Sequence, residues 1–115
     1  MSTTYRSSRQ TPAVQRGELY RYALRGTQER TVLLVAAQHI LDDPRHTLLY
    51  AIEVTAADPQ HLLAIPITIG AAQGWLDVAR DLVRVYRGAL VEAYGRLTEE
   101  QLHRVDLALR AALDL

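Results

Sequence analysis

Apolar and polar residues alternate along the chain with two different periods, and together these predict a small β-rich domain that ends in a helix. Four apolar or alternating segments, rich in β-formers and bounded by turn residues, are typical of short strands. They cover residues 18–24, 31–37, 47–55 and 62–69. The continuous apolar run of the second segment predicts a buried strand. Pro66 predicts that the fourth strand lies at an edge or a bulge, and Gly70 and Gly74 indicate a loop after it.

The final segment has the signature of an amphipathic helix. Thr98 and Gln101 have the spacing of a capping box, and Glu99 and Glu100 would lie at the positive end of the helix dipole. An apolar stripe with helical spacing predicts that one face packs against the rest of the domain. The stripe consists of Leu102, Val105, Leu109, Ala112 and Leu113.

The sequence does not decide whether the segment 77–94 forms a helix or a strand. Its leucine, alanine, arginine and valine residues favour a helix by propensity, but residues 82–86 are equally acceptable as a strand. Four or five short strands followed by one terminal helix predict a mainly β (α+β) fold. In that fold a small β-barrel or curled sheet has the helix laid against it.

A chain of 115 residues has the usual size of one domain. Residues 1–15 are rich in serine, threonine and arginine without an apolar period, so we expect a disordered tail followed by one domain over residues 16–115. No apolar stretch has the length of a signal peptide or a membrane span, which favours a cytoplasmic protein. The absence of cysteine excludes disulfides and thiolate chemistry.

The composition of charged residues limits the side chains that could perform a reaction, and arginine is the main candidate among them. All thirteen basic residues are arginines, and they balance thirteen acids, but residues 1–30 hold six arginines against two glutamates. Without lysine there can be no phosphate loop of the Walker type, and the serines all lie in the predicted tail. The four histidines lack metal-ligand spacing, so no metal site is predicted. Arginine and hydroxyl groups remain, and these suit stabilisation of charge on a phosphate.

Three short motifs stand in a fixed order along the chain. They are RGELY at residues 16–20, RTVLLV at 30–35 and GRLTEEQ at 95–101. In this order they resemble the R-G-[DE]-[VIL]-[WY] opening, the R-P-V-L-V-V strand and the G-R-L-[ST]-x-E helix entry of MazF/PemK-like toxins. The resemblance covers roughly residues 16–115. It implies an SH3-like β-barrel of the CcdB/MazF type, a homodimer, a small cognate antitoxin, and cofactor-free, metal-independent cleavage of single-stranded RNA.

The resemblance also implies site residues. Arg30 and Thr55 match the family's catalytic arginine and hydroxyl positions, and Arg21, Arg25 and Gln28 flank the first turn, where they could contact RNA. The family's later Q-I-R-[TS] strand has no clean match, and Arg84 is the nearest substitute. The same residues could instead have structural roles. Arg30 could pair with Glu29 or Glu53, and Thr55 could be present because it favours a strand. The strand tyrosines could pack in the core and not stack on bases; they are Tyr20, Tyr22 and Tyr50.

Two other functional classes remain open. A barrel of the same family could have lost cleavage and act by binding a protein, either by poisoning a target or as an interaction module. The chain could also be an unrelated small β-barrel. The neutral total charge weakens the case for an RNA-binding protein, although the basic first thirty residues partly restore it.

Overall fold

Within residues 13–69 and 72–114, which the computed structural model describes, the chain forms seven strands, two α-helices and one short 3₁₀ turn. The strands are β1 (Glu18–Tyr22), β2 (Arg30–Leu34), β3 (Leu48–Thr55), β4 (Ala64–Ile69), β5 (Ala72–Asp77), β6 (Leu82–Tyr86) and β7 (Leu90–Arg96). The helices are α1 (Gln38–Leu41) and α2 (Glu99–Leu113), and the 3₁₀ turn is Arg87–Ala89.

The strands form one curled antiparallel sheet, a half-barrel, with the order β4-β5-β3-β2-β1-β7. The long strand β3 joins its two parts, because residues 48–52 pair with β6 while Val54 and Thr55 pair with β5. The terminal helix lies against one face of this sheet. The predicted mainly β fold with a C-terminal helix is therefore confirmed.

Strand β2 runs through the centre of the hydrophobic core, and its alternate side chains enter two clusters. Val32 and Leu34 pack in the first cluster with Tyr20 and Tyr22, whereas Leu33 packs in the second. Helix α2 belongs to the second cluster through Val105 and Ala108. A strand buried on both faces has no polar alternation, which explains the continuous apolar run in the sequence.

Helix α2 begins with the predicted capping box. The Thr98 hydroxyl accepts the Gln101 backbone N–H at 3.1 Å, and the Gln101 side-chain oxygen accepts the Thr98 backbone N–H at 2.9 Å. The apolar stripe is covered only in part: Val105 is fully buried, but Ala112 is exposed and Leu113 is 51% exposed. The C-terminal end of the stripe is therefore only partly covered by the described part of the chain.

Two regions differ from the sequence-based expectations. The open segment 77–94 contains β6 and most of β7 and no α-helix, because both strands find pairing partners in β3 and β1. The loop expected around Gly74 is wrong, since these residues form β5. A Cβ at Gly74 would lie 2.5 Å from Val54 Cγ1 and 2.9 Å from the Thr55 carbonyl oxygen, so the glycine permits close approach to β3.

The first motif of the chain has a structural role. Arg16 pairs with Asp106 of α2 and donates from Nε to the Val35 carbonyl oxygen at 3.1 Å, which fastens the helix to the sheet. Gly17 has a φ of +90°, a left-handed conformation that side chains rarely adopt. Residues 1–12 of the predicted tail lie outside the described residues, but Val14 is buried. Among the described residues, no helix has the length and apolarity needed to cross a membrane.

Candidate active site

The two predicted catalytic residues lie at adjacent strand ends. Arg30 opens β2 and Thr55 closes β3, and the β2–β3 register pairs Val32 with Glu53. This pairing ends at Val32 and Glu53, and beyond it Thr55 pairs with Trp75 of β5 while Arg30 pairs with Tyr22 of β1. The alternation of side chains along β3 puts Glu53 and Thr55 on one face. Arg30 contacts Glu53, which lies two residues before Thr55 along β3.

The side chain of Arg30 contacts two other strands. Its Nη1 donates to Glu53 Oε1 at 3.1 Å, and its guanidinium carbon lies 5.7 Å from the centre of the Tyr22 ring. Tyr22 is the cross-strand partner of Arg30 in β1. The expectation that Arg30 could pair with a nearby glutamate is correct for Glu53, while Glu29 pairs with another arginine.

An open cleft of about 510 Å³ adjoins these strand ends. Its lining includes three of the predicted site residues, together with two acids and one aromatic residue. These are Arg21, Gln28, Arg30, Glu29, Glu53 and Tyr94. Arginine donors, an amide and an aromatic ring are the groups that bind phosphates and bases of single-stranded nucleic acids.

Arg21 is held by two carboxylates. Its Nη1 donates to Glu29 at 3.0 Å and its Nε donates to Glu92 at 3.4 Å. The hydrogen bond that Arg21 donates to Glu29, together with the negative charge of Glu29, raises the pKa of Arg21 further above its ordinary value. The cleft is consequently not a simple basic patch, because its arginines already have acidic partners in the free protein.

Pattern reasoning missed Tyr94, which lines the cleft, and Glu92, which pairs with the cleft residue Arg21. Both lie on β7, in the segment that stayed open between helix and strand. The β1–β7 register pairs Leu19 with Gly95 but Tyr20 with Ala93, so Tyr94 is the additional residue of a β-bulge. Bulges change the direction of a side chain relative to regular pairing. Glu92 could be found only from its register opposite Arg21, which depends on the fold.

Two further predicted RNA contacts lie apart from this cleft. Arg25 is exposed in the connection between β1 and β2 but does not line the cleft. Arg84 pairs with Tyr50 in the β3–β6 register, five residues from Thr55, or roughly 16 Å along the strand and on the opposite face. The packing interpretation holds for Tyr20 and Tyr22, which are 4% and 3% exposed, whereas Tyr50 is 54% exposed.

The described residues contain no cluster of three histidine, aspartate or glutamate side chains suited to a metal ion. The side chains that line the cleft offer guanidinium, carboxylate, amide and hydroxyl groups. The chain is thus a half-barrel with a C-terminal helix and with an arginine-bearing cleft at the ends of its strands.

Several solved structures have the same architecture. An endoribonuclease from a mycobacterial species aligns with a TM-score of 0.76 and 18% identity over 91% of this chain and 95% of that protein. The MazE–MazF complex of Deinococcus radiodurans gives a TM-score of 0.74 and 16% identity, with coverages of 90% and 99%. The Mycobacterium tuberculosis toxin MazF-mt6 gives 0.71 and 18%, with coverages of 85% and 97%.

These likenesses establish the fold of this chain as that of MazF toxins. No protein-family model matches the sequence, and no curated protein matches it significantly. The structural comparison thus confirms the predicted resemblance to MazF toxins. The sequence identities are too low to show which reaction the chain catalyses.

Proposed function

We propose that this protein is a MazF-like endoribonuclease toxin that cleaves single-stranded RNA without a metal ion. The observation that carries the proposal is that Arg30, Arg21 and Gln28 line one cleft. Thr55 ends the neighbouring strand β3 and does not itself line that cleft. The fold shared with proteins named as endoribonucleases gives additional support. The predicted RNA contacts of Arg25 and Arg84 remain part of the proposal, although both residues lie apart from the cleft.

In the proposed reaction the nucleophile belongs to the substrate. The ribose 2′-oxygen attacks the adjacent phosphorus and loses its proton, the bond from phosphorus to the 5′-oxygen breaks, and that oxygen takes up a proton. The products are a 2′,3′-cyclic phosphate and a 5′-hydroxyl. Arg30 would stabilise the charge of the phosphorane or protonate the leaving oxygen, and Thr55 would position the phosphate by hydrogen bonding. The protein then supplies alignment and positive charge.

The proposed partners follow from the same function. An endoribonuclease from a mycobacterial species has been solved in complex with its cognate antitoxin, and MazF of Deinococcus radiodurans has been solved with MazE. We therefore propose a small antitoxin for this chain, and action in the cytoplasm, where the RNA substrate is found. A homodimer is proposed as well, because an apolar surface beside α2 is exposed in the single chain.

The function is tested by incubating the purified protein with a long single-stranded RNA in EDTA. We expect discrete cuts that end in cyclic phosphates. Arg30→Ala should reduce the cleavage rate by about a hundredfold or more, and Thr55→Ala by about tenfold, since each removes stabilisation of the transition state. The matched control is Arg45→Ala, because Arg45 is 88% exposed and pairs only with Asp43 among the described residues.

Intact RNA in EDTA would contradict the proposed activity. If expression of the protein nevertheless inhibited growth, the observation would favour the alternative class, a MazF/CcdB-like barrel that acts by binding a protein target. Equal cleavage by Arg30→Ala and the wild-type protein would show that the reaction takes place elsewhere or belongs to a contaminant.

A further inference from the structure

The guanidinium of Arg30 is held at two points by residues from two other strands. Glu53 of β3 accepts a hydrogen bond from Nη1 at 3.1 Å, and the ring of Tyr22 of β1 lies 5.7 Å from the guanidinium carbon. A guanidinium carries five N–H donors in one rigid plane. One carboxylate contact and one aromatic face can therefore fix that plane while most of its donors stay available to a ligand.

The aromatic side of this arrangement is itself rigid. Tyr22 is only 3% exposed, and its hydroxyl accepts the backbone N–H of Tyr86 in β6 at 3.0 Å. The hydrogen bond ties the ring to a strand outside the β1–β2 pair, so the surface below Arg30 has little freedom to move. Three strands thus contribute to the orientation of a single guanidinium.

The carboxylate side is set by the register of β2 and β3. Glu53 lies opposite Val32, so Arg30 is its diagonal neighbour on the same face of the sheet. The Glu53 side chain is 33% exposed and that of Arg30 is 37% exposed. An ion pair that solvent reaches in this way contributes little to the stability of a fold. Nothing in the reaction proposed above assigns a task to Glu53.

For a site that binds a phosphate, a carboxylate beside the main arginine is electrostatically unfavourable. Glu53 lowers the positive potential at Arg30 and repels the phosphate. Its contribution to a reaction must therefore lie in the geometry of Arg30. A guanidinium that is already oriented in the free protein loses less conformational freedom when the phosphorane forms, which is the usual advantage of a preorganised site.

We propose that Glu53 and Tyr22 are positioning residues that fix the plane of the Arg30 guanidinium, so that its remaining donors face the scissile phosphate. The inference rests on the proposed ribonuclease function and extends it to two residues that do not touch the reacting atoms. It implies that the Glu53 carboxylate acts through its hydrogen bond and not through its charge.

This difference between hydrogen bond and charge makes the inference testable with two substitutions. Glu53→Gln keeps an oxygen that can accept from Arg30 but removes the negative charge. Glu53→Ala removes both. Glu100→Ala is the matched control, because Glu100 is an exposed glutamate at the start of α2, away from the cleft.

The measurement is the single-turnover cleavage rate at saturating RNA, together with the dissociation constant of a 2′-O-methyl RNA of randomised sequence, which cannot be cleaved. We expect Glu53→Ala to lower the rate about tenfold or more without weakening binding. Glu53→Gln should recover the rate to within about threefold of wild type and bind RNA at least as tightly. An NMR spectrum of the arginine Nε–H groups should show Arg30 immobilised in the wild type and in Glu53→Gln, and mobile in Glu53→Ala.

Two results would overturn the inference while leaving the proposed function intact. One is a Glu53→Ala variant that cleaves as fast as the wild-type protein and Glu100→Ala. The other is an equal loss of rate in Glu53→Ala and Glu53→Gln, which would mean that the charge itself matters. A different result would overturn the proposed function itself. If the wild-type protein did not cleave RNA although its NMR spectrum showed Arg30 immobilised, the geometry around Arg30 would have no catalytic role.

Discussion

Arginine residues in this protein perform different tasks that only their neighbours distinguish. Arg16 joins α2 to the sheet through Asp106 and the Val35 carbonyl. Arg87 donates to four main-chain carbonyls in the loop around α1 and holds that loop against the 3₁₀ turn. Arg30 and Arg21 line the cleft, each with acidic partners. Because every basic residue is arginine, composition could indicate phosphate chemistry but could not separate these roles.

The residue scale also carries a prediction about alkaline pH. Burial of the phenol, reinforced by the charge and hydrogen bond of Glu18, raises the pKa of Tyr20 from 10.0 to about 12. The folded state therefore retains the Tyr20 proton where the unfolded state has lost it. The resulting stabilisation is complete below pH 10 and is lost as the pH rises through 12, by an amount on the order of 2 kcal/mol.

Chemical denaturation at a series of pH values tests this. The free energy of unfolding of the wild-type protein should fall more steeply between pH 10 and pH 12 than that of Tyr20→Phe, which has no phenolic proton to lose. Parallel pH profiles for the two proteins would show that Tyr20 does not couple to folding in this range.

At the scale of elements, the sequence pattern predicted secondary structure best for two kinds of element. One kind is stabilised by hydrogen bonds between its own residues, and the other is buried along its whole length. The capping box of α2 and the apolar run of β2 are of this kind, and both were predicted. The segment 77–94 was not, because its residues tolerate either conformation and pairing with β1 and β3 decides between them. The loop predicted around Gly74 is wrong because the sequence does not show that this glycine contacts β3.

Gly74 gives a prediction at this scale. An added Cβ would lie within 3 Å of both Val54 Cγ1 and the Thr55 carbonyl oxygen, so β5 would have to move away from β3. We expect Gly74→Ala to lower the free energy of unfolding by about 1–3 kcal/mol, as is usual for overpacking, and to slow RNA cleavage by displacing Thr55.

Thermal unfolding and the cleavage assay measure the two effects of this substitution. The matched control is Gly88→Ala, since a Cβ at Gly88 would meet no atom within 4 Å. If Gly74→Ala were as stable and as active as Gly88→Ala, the close approach of β5 to β3 would have no energetic significance.

At the scale of the whole molecule, one surface is more apolar than a monomer requires. A groove of about 640 Å³ between the sheet and the end of α2 is lined by Tyr50, Leu82, Leu109 and Leu113, among others. Tyr50 and Leu113 are half exposed, and Tyr86 lies on the same face of β3 and β6 as Tyr50 with 50% exposure. Exposed apolar surface of this kind marks interaction sites, and it supports the proposed homodimer.

The homodimer is tested by sedimentation of Leu113→Glu against the wild-type protein. A charge placed at this position in both subunits should raise the dimer dissociation constant by about tenfold or more, because each copy loses apolar burial. Leu107→Glu is the matched control, since Leu107 is on the same helix, is 54% exposed and does not line this groove. Equal dissociation of both variants, or a monomeric wild-type protein, would contradict an interface on this face.

The sequence by itself predicted two elements that the structure confirms, the terminal helix and the buried central strand. These depend on composition or on neighbours within a few residues, where propensity, capping and periodicity act. Tertiary structure decided that residues 82–86 are a strand and that Tyr94 lines the cleft. It also decided that Glu92 pairs with Arg21 and that Arg30 is held by Glu53 and Tyr22. Each of these depends on strand register, which sets contacts between residues far apart in the chain and is fixed only when the whole sheet pairs.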